Sequence, residues 1–466
     1  MSSIALAFVI AACGNVKPSG TPDAPGSGSA DAAPDAPSSN PPSLTSVSPM
    51  SGIVSSSVTI TGARFGATQG SGTITIGGKP AAVTSWADTQ IVAGVPDVLP
   101  ASVDVVVTTS GGASAPLQFR VILPPRAYLN NDANDANGQD TITVMSFDPS
   151  TGAMAQLGTP IEIGVAASSY GGCSQSIVVH EGTRHLFATG SNGVASYTID
   201  PVTGALTAAA GSPFAVGSRA FGLIPNAAGT RLFVTSYDAK TVSVFDVAAD
   251  AKLTPVTGSP FTSLTGVDTI ATAATDGFVY ANSYEASFQG FKVGAGGALT
   301  SLGAAFTPGG TAIAQRTAHE QLYVTLQTGA VGVWNVDTGT GTPTQITGSP
   351  FTVAAASTLV DAPVFTGDGN RAYFGINGTG KVLAYTLAAD GTPTAITGSP
   401  FDFSTTVSMS CLALSRDGAY LLGASEGANA VGVFKLDGNG VPTQVAGSPF
   451  THTTPTTGTS GLALSF

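Results

Sequence analysis

The tetrapeptide Gly-Ser-Pro-Phe stands at residues 211–214 and returns at Gly258, Gly348, Gly398 and Gly447, with degenerate copies at Gly158 (Gly-Thr-Pro-Ile) and Gly303 (Gly-Ala-Ala-Phe). Successive copies lie 53, 47, 45, 45, 50 and 49 residues apart. A period of this size means one supersecondary unit repeated seven times, and it limits the fold more than any local pattern does. Inside a unit the order is constant, clearest in Leu412-Ala-Leu-Ser, a turn at Asp417-Gly418, Tyr420-Leu-Leu, Val431-Gly-Val-Phe and Pro442-Thr-Gln-Val before the tetrapeptide. Four short strands per unit describe a propeller blade. The ends of the chain provide a check. The last residues, Leu462-Ala-Leu-Ser465-Phe466, copy Leu412–Ser415, whereas the first unit starts at Ala127-Tyr-Leu without such a strand. Joining Phe466 to Arg126 completes a unit of 51 residues. The sequence therefore predicts a ring of seven blades over residues 123–466, closed by the C-terminal strand, with no unpaired first or last blade.

Composition agrees with an all-β class. Only 9% of the 466 residues are charged, against about 25% in ordinary globular chains, so the charged helix surfaces of an α or α/β enzyme are missing. The 42% hydrophobic content supplies buried cores and excludes disorder throughout. With 16 Lys and Arg against 28 Asp and Glu, the net charge is −12. Nucleic acid is thereby excluded as an electrostatic partner, as is direct adhesion to anionic lipid.

Residues Ile4 to Ala12 are an unbroken apolar run ending at Cys13-Gly14. Such a run is too short to span a bilayer and suits the core of a signal peptide. Ile10-Ala11-Ala12-Cys13 resembles the lipobox of bacterial lipoproteins, which implies acylation of Cys13 and an outer-membrane address, because Gly rather than Asp follows the cysteine. No Lys or Arg precedes the run, so a working signal is expected to have further residues upstream. Residues 1–13 are thus read as the signal segment. Residues 14–42 are read as a tether, because Pro, Ser, Gly, Ala and Asp without aromatics cannot offset the entropy of ordering.

Residues 43–122 alternate in polarity, as in Val58-Thr-Ile60-Thr, Thr73-Ile74-Thr-Ile76 and Val103-Asp-Val105-Val-Val107, with Gly-rich breaks. Short strands at this spacing predict a β-sandwich. Ser46-Val-Ser-Pro49, Val58-Thr-Ile-Thr-Gly62, Phe65-Gly66, Ile76-Gly-Gly78 and Trp86 through Asp88-Thr-Gln-Ile91 resemble an IPT/TIG immunoglobulin-like domain. The resemblance implies a spacer or interaction module, with Trp86 in its core.

Blade cores such as Gly229-Thr-Arg-Leu-Phe233-Val-Thr235 with Val242-Ser-Val-Phe245, and ends such as Leu253-Thr-Pro-Val-Thr-Gly-Ser-Pro-Phe261, resemble the lactonase-like seven-bladed propellers related to YVTN-repeat surface proteins and to 6-phosphogluconolactonase. That resemblance implies His, Arg and Glu where inner strands open into the central channel. Here those starts read Tyr170-Gly-Gly-Cys173, Ser218-Arg219-Ala220, Gly266-Val-Asp268, Gly310-Thr-Ala312 and Ser408-Met-Ser-Cys411, small and mostly uncharged. Arg219 and Asp268, on adjacent blades, are the candidate ligand-binding pair. No catalytic set is visible, and no cofactor is expected. His180, His185, His319 and His452 are expected on solvated loops. Asp148, Asp200, Asp246, Asp337 and Asp437 follow third strands, where Asp bonds its own turn. The oxygen-rich stretch 130–140 suits Ca²⁺ in composition but lacks the EF-hand spacing, so an ordinary loop is expected there. Cys173 and Cys411 are expected as buried thiols, since one blade lies between them.

These readings converge on a monomeric, lipid-anchored envelope protein whose propeller serves as a platform for a protein or carbohydrate ligand. The alternative is an envelope lactonase working at the channel mouth.

Overall fold

The computed structural model describes residues 40–131, 139–166, 175–263, 266–273, 276–284, 287–355, 361–404, 409, 411–424, 428–453 and 458–465. Its regular structure is strand, apart from single 3-10 turns at Glu181–Thr183 and Thr317–His319. No helix among the described residues is long and apolar enough to cross a membrane.

Alternating polarity folds the first unit into two facing sheets. One orders the strands Ser43–Ser48, Ser57–Ala63, Gln90–Gly94 and Ala82–Ala87. The other orders Ser51–Gly52, Leu117–Val121, Ala101–Thr109, Thr73–Ile76 and Lys79–Pro80, with Gly112–Ala113 beside it. Every second residue points inward, so Ile60, Ile74, Ile76, Ile91, Val105, Val107 and Phe119 are buried in one core. Trp86 packs against that core half-buried, edge-on to Phe65, and its indole N–H donates to the Phe65 carbonyl at 3.1 Å.

Seven further antiparallel sheets follow among the described residues, each with a path of four strands, in sequence order from inside to outside in all but the first, and six of them carry a fifth short strand beside the third. The second is typical: Ile177–His180, His185–Gly190, Gly193–Ile199 and Leu206–Ala208. The first departs as the sequence predicts, because its inner strand is Thr459–Ser465, which pairs antiparallel with Arg126–Asn131 and sets Leu462 opposite Leu129. A blade is apolar on both faces, so each must pack against two neighbours. The described cores show this: Tyr128 and Ile142 of the first sheet pack with Leu186 and Tyr197 of the second. Equivalent clusters join every consecutive pair. The seventh cluster joins Leu422 and Val433 of the last sheet to Leu129 and Met145 of the first, which closes the ring.

The tetrapeptide has a backbone function in each full copy. Its Gly holds a positive φ between 84° and 96°. Its Ser Oγ accepts the third-strand N–H of Ser196, Val244, Val333, Ala384 or Val433 at 2.8–3.0 Å. Its Phe then pairs with the same strand two residues earlier, as in Phe214 with Val194 and Phe351 with Val331. A third-strand N–H is thus given a partner in each of the five blades that carry a full copy.

A second repeated device ties blade to blade. Second-strand tyrosines donate to the turn carbonyl of the next sheet: Tyr128 to Gly204 at 3.1 Å, Tyr280 to Gly341 and Tyr323 to Gly391 at 2.7 Å, and Tyr373 to Gly440 at 2.9 Å. Tyr420 of the last sheet lies against Gly152 of the first, where a Cβ would stand 2.8 Å from its ring. All four donor tyrosines are fully buried.

The sandwich docks on the end of the ring where inner strands finish. Arg184 of the second sheet donates to the Val98 carbonyl at 2.6 Å and pairs with Asp97 at 2.7 Å. Arg120 of the sandwich reaches Glu181 at 3.8 Å.

Several expectations are corrected. His185 and His452 are buried, not solvated, because the blade packing covers them; desolvation lowers both pKa values, that of His452 to about 4. Asp246 stays within its strand and pairs with Arg231 at 3.0 Å, and Asp250 accepts from the turn instead. Asp148, Asp200, Asp337 and Asp437 do bond their own turns. Cys411 is disulfide-bonded, not a free thiol, and its partner lies outside the described residues, as do Cys13 and Cys173. At the edges of the oxygen-rich stretch, Asn130 and Asn131 are buried strand residues that donate to Thr189 O and Thr143 Oγ1 at 3.0 Å. Residues 132–138 lie outside the described residues, and no His, Cys, Asp and Glu group that could hold a metal occurs among the described ones.

Candidate functional site at the channel mouth

The inner strands converge on a cavity of about 210 Å³ lined by Ile177, Leu223, Val364, Cys411 and Leu462, with Gln175 and Asp361 as its polar members. Gln175 is a crossbar. Its Oε1 accepts the N–H of Ile270 in the fourth sheet at 2.9 Å, and its Nε2 donates to Ile313 O in the fifth at 3.4 Å. A single side chain therefore reaches across the channel.

At the mouth where inner strands begin, Arg219 precedes the strand Ala220–Pro225 with a positive φ of 56°. That conformation is uncommon for a side chain with a Cβ. It turns the guanidinium back over the hairpin of its own sheet, where Nη1 pairs with Asp238 Oδ1 at 3.0 Å. The same guanidinium lies 4.5 Å from the ring centre of Tyr237 and 5.6 Å from that of Phe221, within cation–π range. Arg219 retains about a quarter of its exposure and Asp238 nearly half.

Asp268 stands on the adjoining sheet. Its carbonyl accepts from Gly222 N at 2.7 Å and Thr235 Oγ1 at 2.6 Å, which fixes the two strand starts together. Gly266 packs so closely on Tyr237 that a Cβ there would stand 3.1 Å from the ring. The structure thus brings Arg219 and Asp268 to one mouth, and Arg219 also forms an ion pair with Asp238 of its own hairpin. Sequence reasoning missed Tyr237, Phe221 and Asp238, although Tyr237-Asp238 was legible as a hairpin turn. It also missed Gln175, which has no counterpart in the repeat. Cys13 lies outside the described residues.

Chemically, the cluster offers two half-buried aromatic faces, one guanidinium and one accessible carboxylate. Of the histidines, His180 lies at the opposite end of the channel, held by Thr183 Oγ1 at 2.9 Å and Ala227 O at 3.0 Å.

Residues 42–121 match the IPT/TIG domain family. No curated protein matches the chain by sequence. Solved structures do resemble it: a protein of Bacteroides uniformis provisionally named a 6-phosphogluconolactonase is 15% identical with a TM-score of 0.59, covering 73% of this chain and 99% of its own. A Lactobacillus plantarum protein is 14% identical with a TM-score of 0.58, covering 73% and 99%. The periplasmic gluconolactonase of Pseudomonas aeruginosa is 17% identical with a TM-score of 0.56, covering 73% and 98%. At such identities the likeness is one of fold. The chain is therefore an IPT/TIG domain followed by a β-propeller of the fold seen in the lactonase-like proteins.

Proposed function

We propose that the chain is a binding protein of the bacterial cell envelope, lipid-anchored through Cys13, that takes a polar ligand of carbohydrate type at the channel mouth. The observation that carries the reading is the Arg219 guanidinium held between Tyr237 and Phe221 and paired with half-exposed Asp238. Stacking faces beside a fixed donor and acceptor suit a ring-shaped polyol better than they suit proton transfer, which needs a group titrating near the working pH. A second reading, lactone hydrolysis, is supported by the names of two propellers of the same fold.

The two readings separate in one assay. Purified protein offered simple aldonolactones is expected to give no turnover above the uncatalysed rate. Its retention on immobilised glycans is expected to fall about tenfold or more in Arg219→Ala and in Tyr237→Ala, with melting temperatures near that of the unaltered chain. Hydrolysis that Arg219→Ala abolishes would install the lactonase instead.

The anchor is tested separately, with a complete signal in place. Cys13→Ser is expected to move the protein from the membrane to the soluble fraction. Unchanged fractionation without an acyl mass on Cys13 removes the anchor from the proposal.

A further inference from the structure

At the opposite end of the channel the sandwich and the propeller enclose a second cavity, of about 450 Å³. Its floor is apolar: Val179, Leu414 and Leu464 come from the second, seventh and first sheets, and Pro100 comes from the sandwich. Its rim carries Glu181 and Arg416. The Glu181 carboxylate is bridged by Arg416 and, at 3.8 Å, by Arg120 of the sandwich. Neighbouring Arg184 is already matched by Asp97.

Two guanidiniums facing one carboxylate leave one positive charge uncompensated, in a chain whose net charge is −12. The consequence registers on Arg120, whose pKa is lowered first by burial and then by the charge of Arg416, against the opposing pull of Glu181. Glu181 is largely buried, while Arg416 keeps about half its exposure. Arg416 therefore retains donors in a planar fork that matches a carboxylate. An apolar floor under that fork selects an anion with a hydrocarbon body.

We propose that this interdomain cavity binds small aliphatic carboxylates, with the carboxylate on Arg416, backed by Arg120 across Glu181, and the hydrocarbon over Leu414, Leu464 and Val179. The site needs both domains, since Arg120 and Pro100 come from one and the remaining groups from the other. It is independent of the ligand site at the other mouth.

The test is calorimetric titration of the full chain with hexanoate at low salt, with 1-hexanol as the uncharged control. Saturable binding of hexanoate, suppressed by salt and absent for hexanol, is expected. Arg416→Gln and Arg120→Gln are each expected to weaken it about tenfold, while Lys435→Gln, an equal loss of charge on an exposed strand position, leaves it unchanged. Glu181→Gln removes the competing carboxylate and is expected to tighten binding, a sign that a merely structural role for the cluster does not produce. Melting curves identify any variant that fails to fold, and the salt and hexanol comparisons on the unaltered chain do not depend on variants. Absence of saturable heat with hexanoate, equal binding of hexanol, or weaker binding in Glu181→Gln overturns the site.

Discussion

Deleting residues 459–466 is expected to abolish cooperative folding of the propeller, whereas deleting residues 14–39 leaves its melting temperature unchanged. The short segment is the inner strand of the first sheet, where Thr459, Ser460, Ala463 and Ser465 are buried. Its loss removes a ladder running from Arg126–Ser465 to Asn131–Thr459. It also removes the Ser465 Oγ donation to Pro124 O at 2.7 Å and the Ser176 donation to Ser460 O at 3.0 Å. Two inter-sheet cores are opened at once, because Ala463 belongs to one and Leu462 and Leu464 pack against the other. Breaks of this kind cost several kcal/mol each, comparable with a total stability of about 5–15 kcal/mol. Thermal unfolding followed by circular dichroism checks the result, and a peptide of residues 458–466 added in trans is expected to restore part of the transition. Equal melting temperatures for the two deletions would refute ring closure.

The second large effect is alkaline. Burial raises the pKa of Tyr128, Tyr197, Tyr323 and Tyr373 to about 12, and moves Tyr280 in the same direction. In the unfolded chain each returns to about 10. Between those values the folded state keeps protons that the unfolded state has lost, so stability falls as pH rises. Below pH 10 the contribution is fully present, and by pH 12 each of the four has lost about 2–3 kcal/mol. Unfolding is therefore expected inside this window. Tyrosinate absorbance recorded alongside circular dichroism should show the buried group ionising only as the fold is lost. A single class of all ten tyrosines titrating near pH 10, with the dichroism unchanged, counts against the blade-to-blade role of these hydroxyls.

Features that recur were legible from the sequence, and features that depend on two distant units meeting were not. The tetrapeptide and the orphan strand at Leu462 each have a partner copy, so strand order and closure followed from comparing copies. The tyrosine ties were within reach of the same comparison, since Tyr128, Tyr280, Tyr323 and Tyr373 each stand third in their strands. Arg219 was found by its place at a strand start, but its pairing with Asp238 was not. Its positive φ turns the side chain toward Asp238, 19 residues away in its own hairpin, and no residue count reveals a left-handed conformation at Arg. Gln175 escaped notice because its work is set by the channel's width. The Arg120, Glu181 and Arg416 cluster joins the sandwich to two blades, and only docking creates it.

Closure by the last strand has a consequence for how the molecule is made. Asn131 and Thr459, hydrogen-bonded neighbours in the finished ring, are 328 residues apart in the chain. At about 5–20 residues per second of synthesis, the first sheet waits roughly 16–66 s for its innermost strand. During that interval its inner edge, at Arg126–Asn131, is open to any extended segment, including the inner strand of the last sheet, whose Leu412-Ala-Leu-Ser matches Leu462-Ala-Leu-Ser. The ring is thus a product of timing as well as of packing, and its assembly is won or lost after the strand Thr459–Ser465 leaves the ribosome.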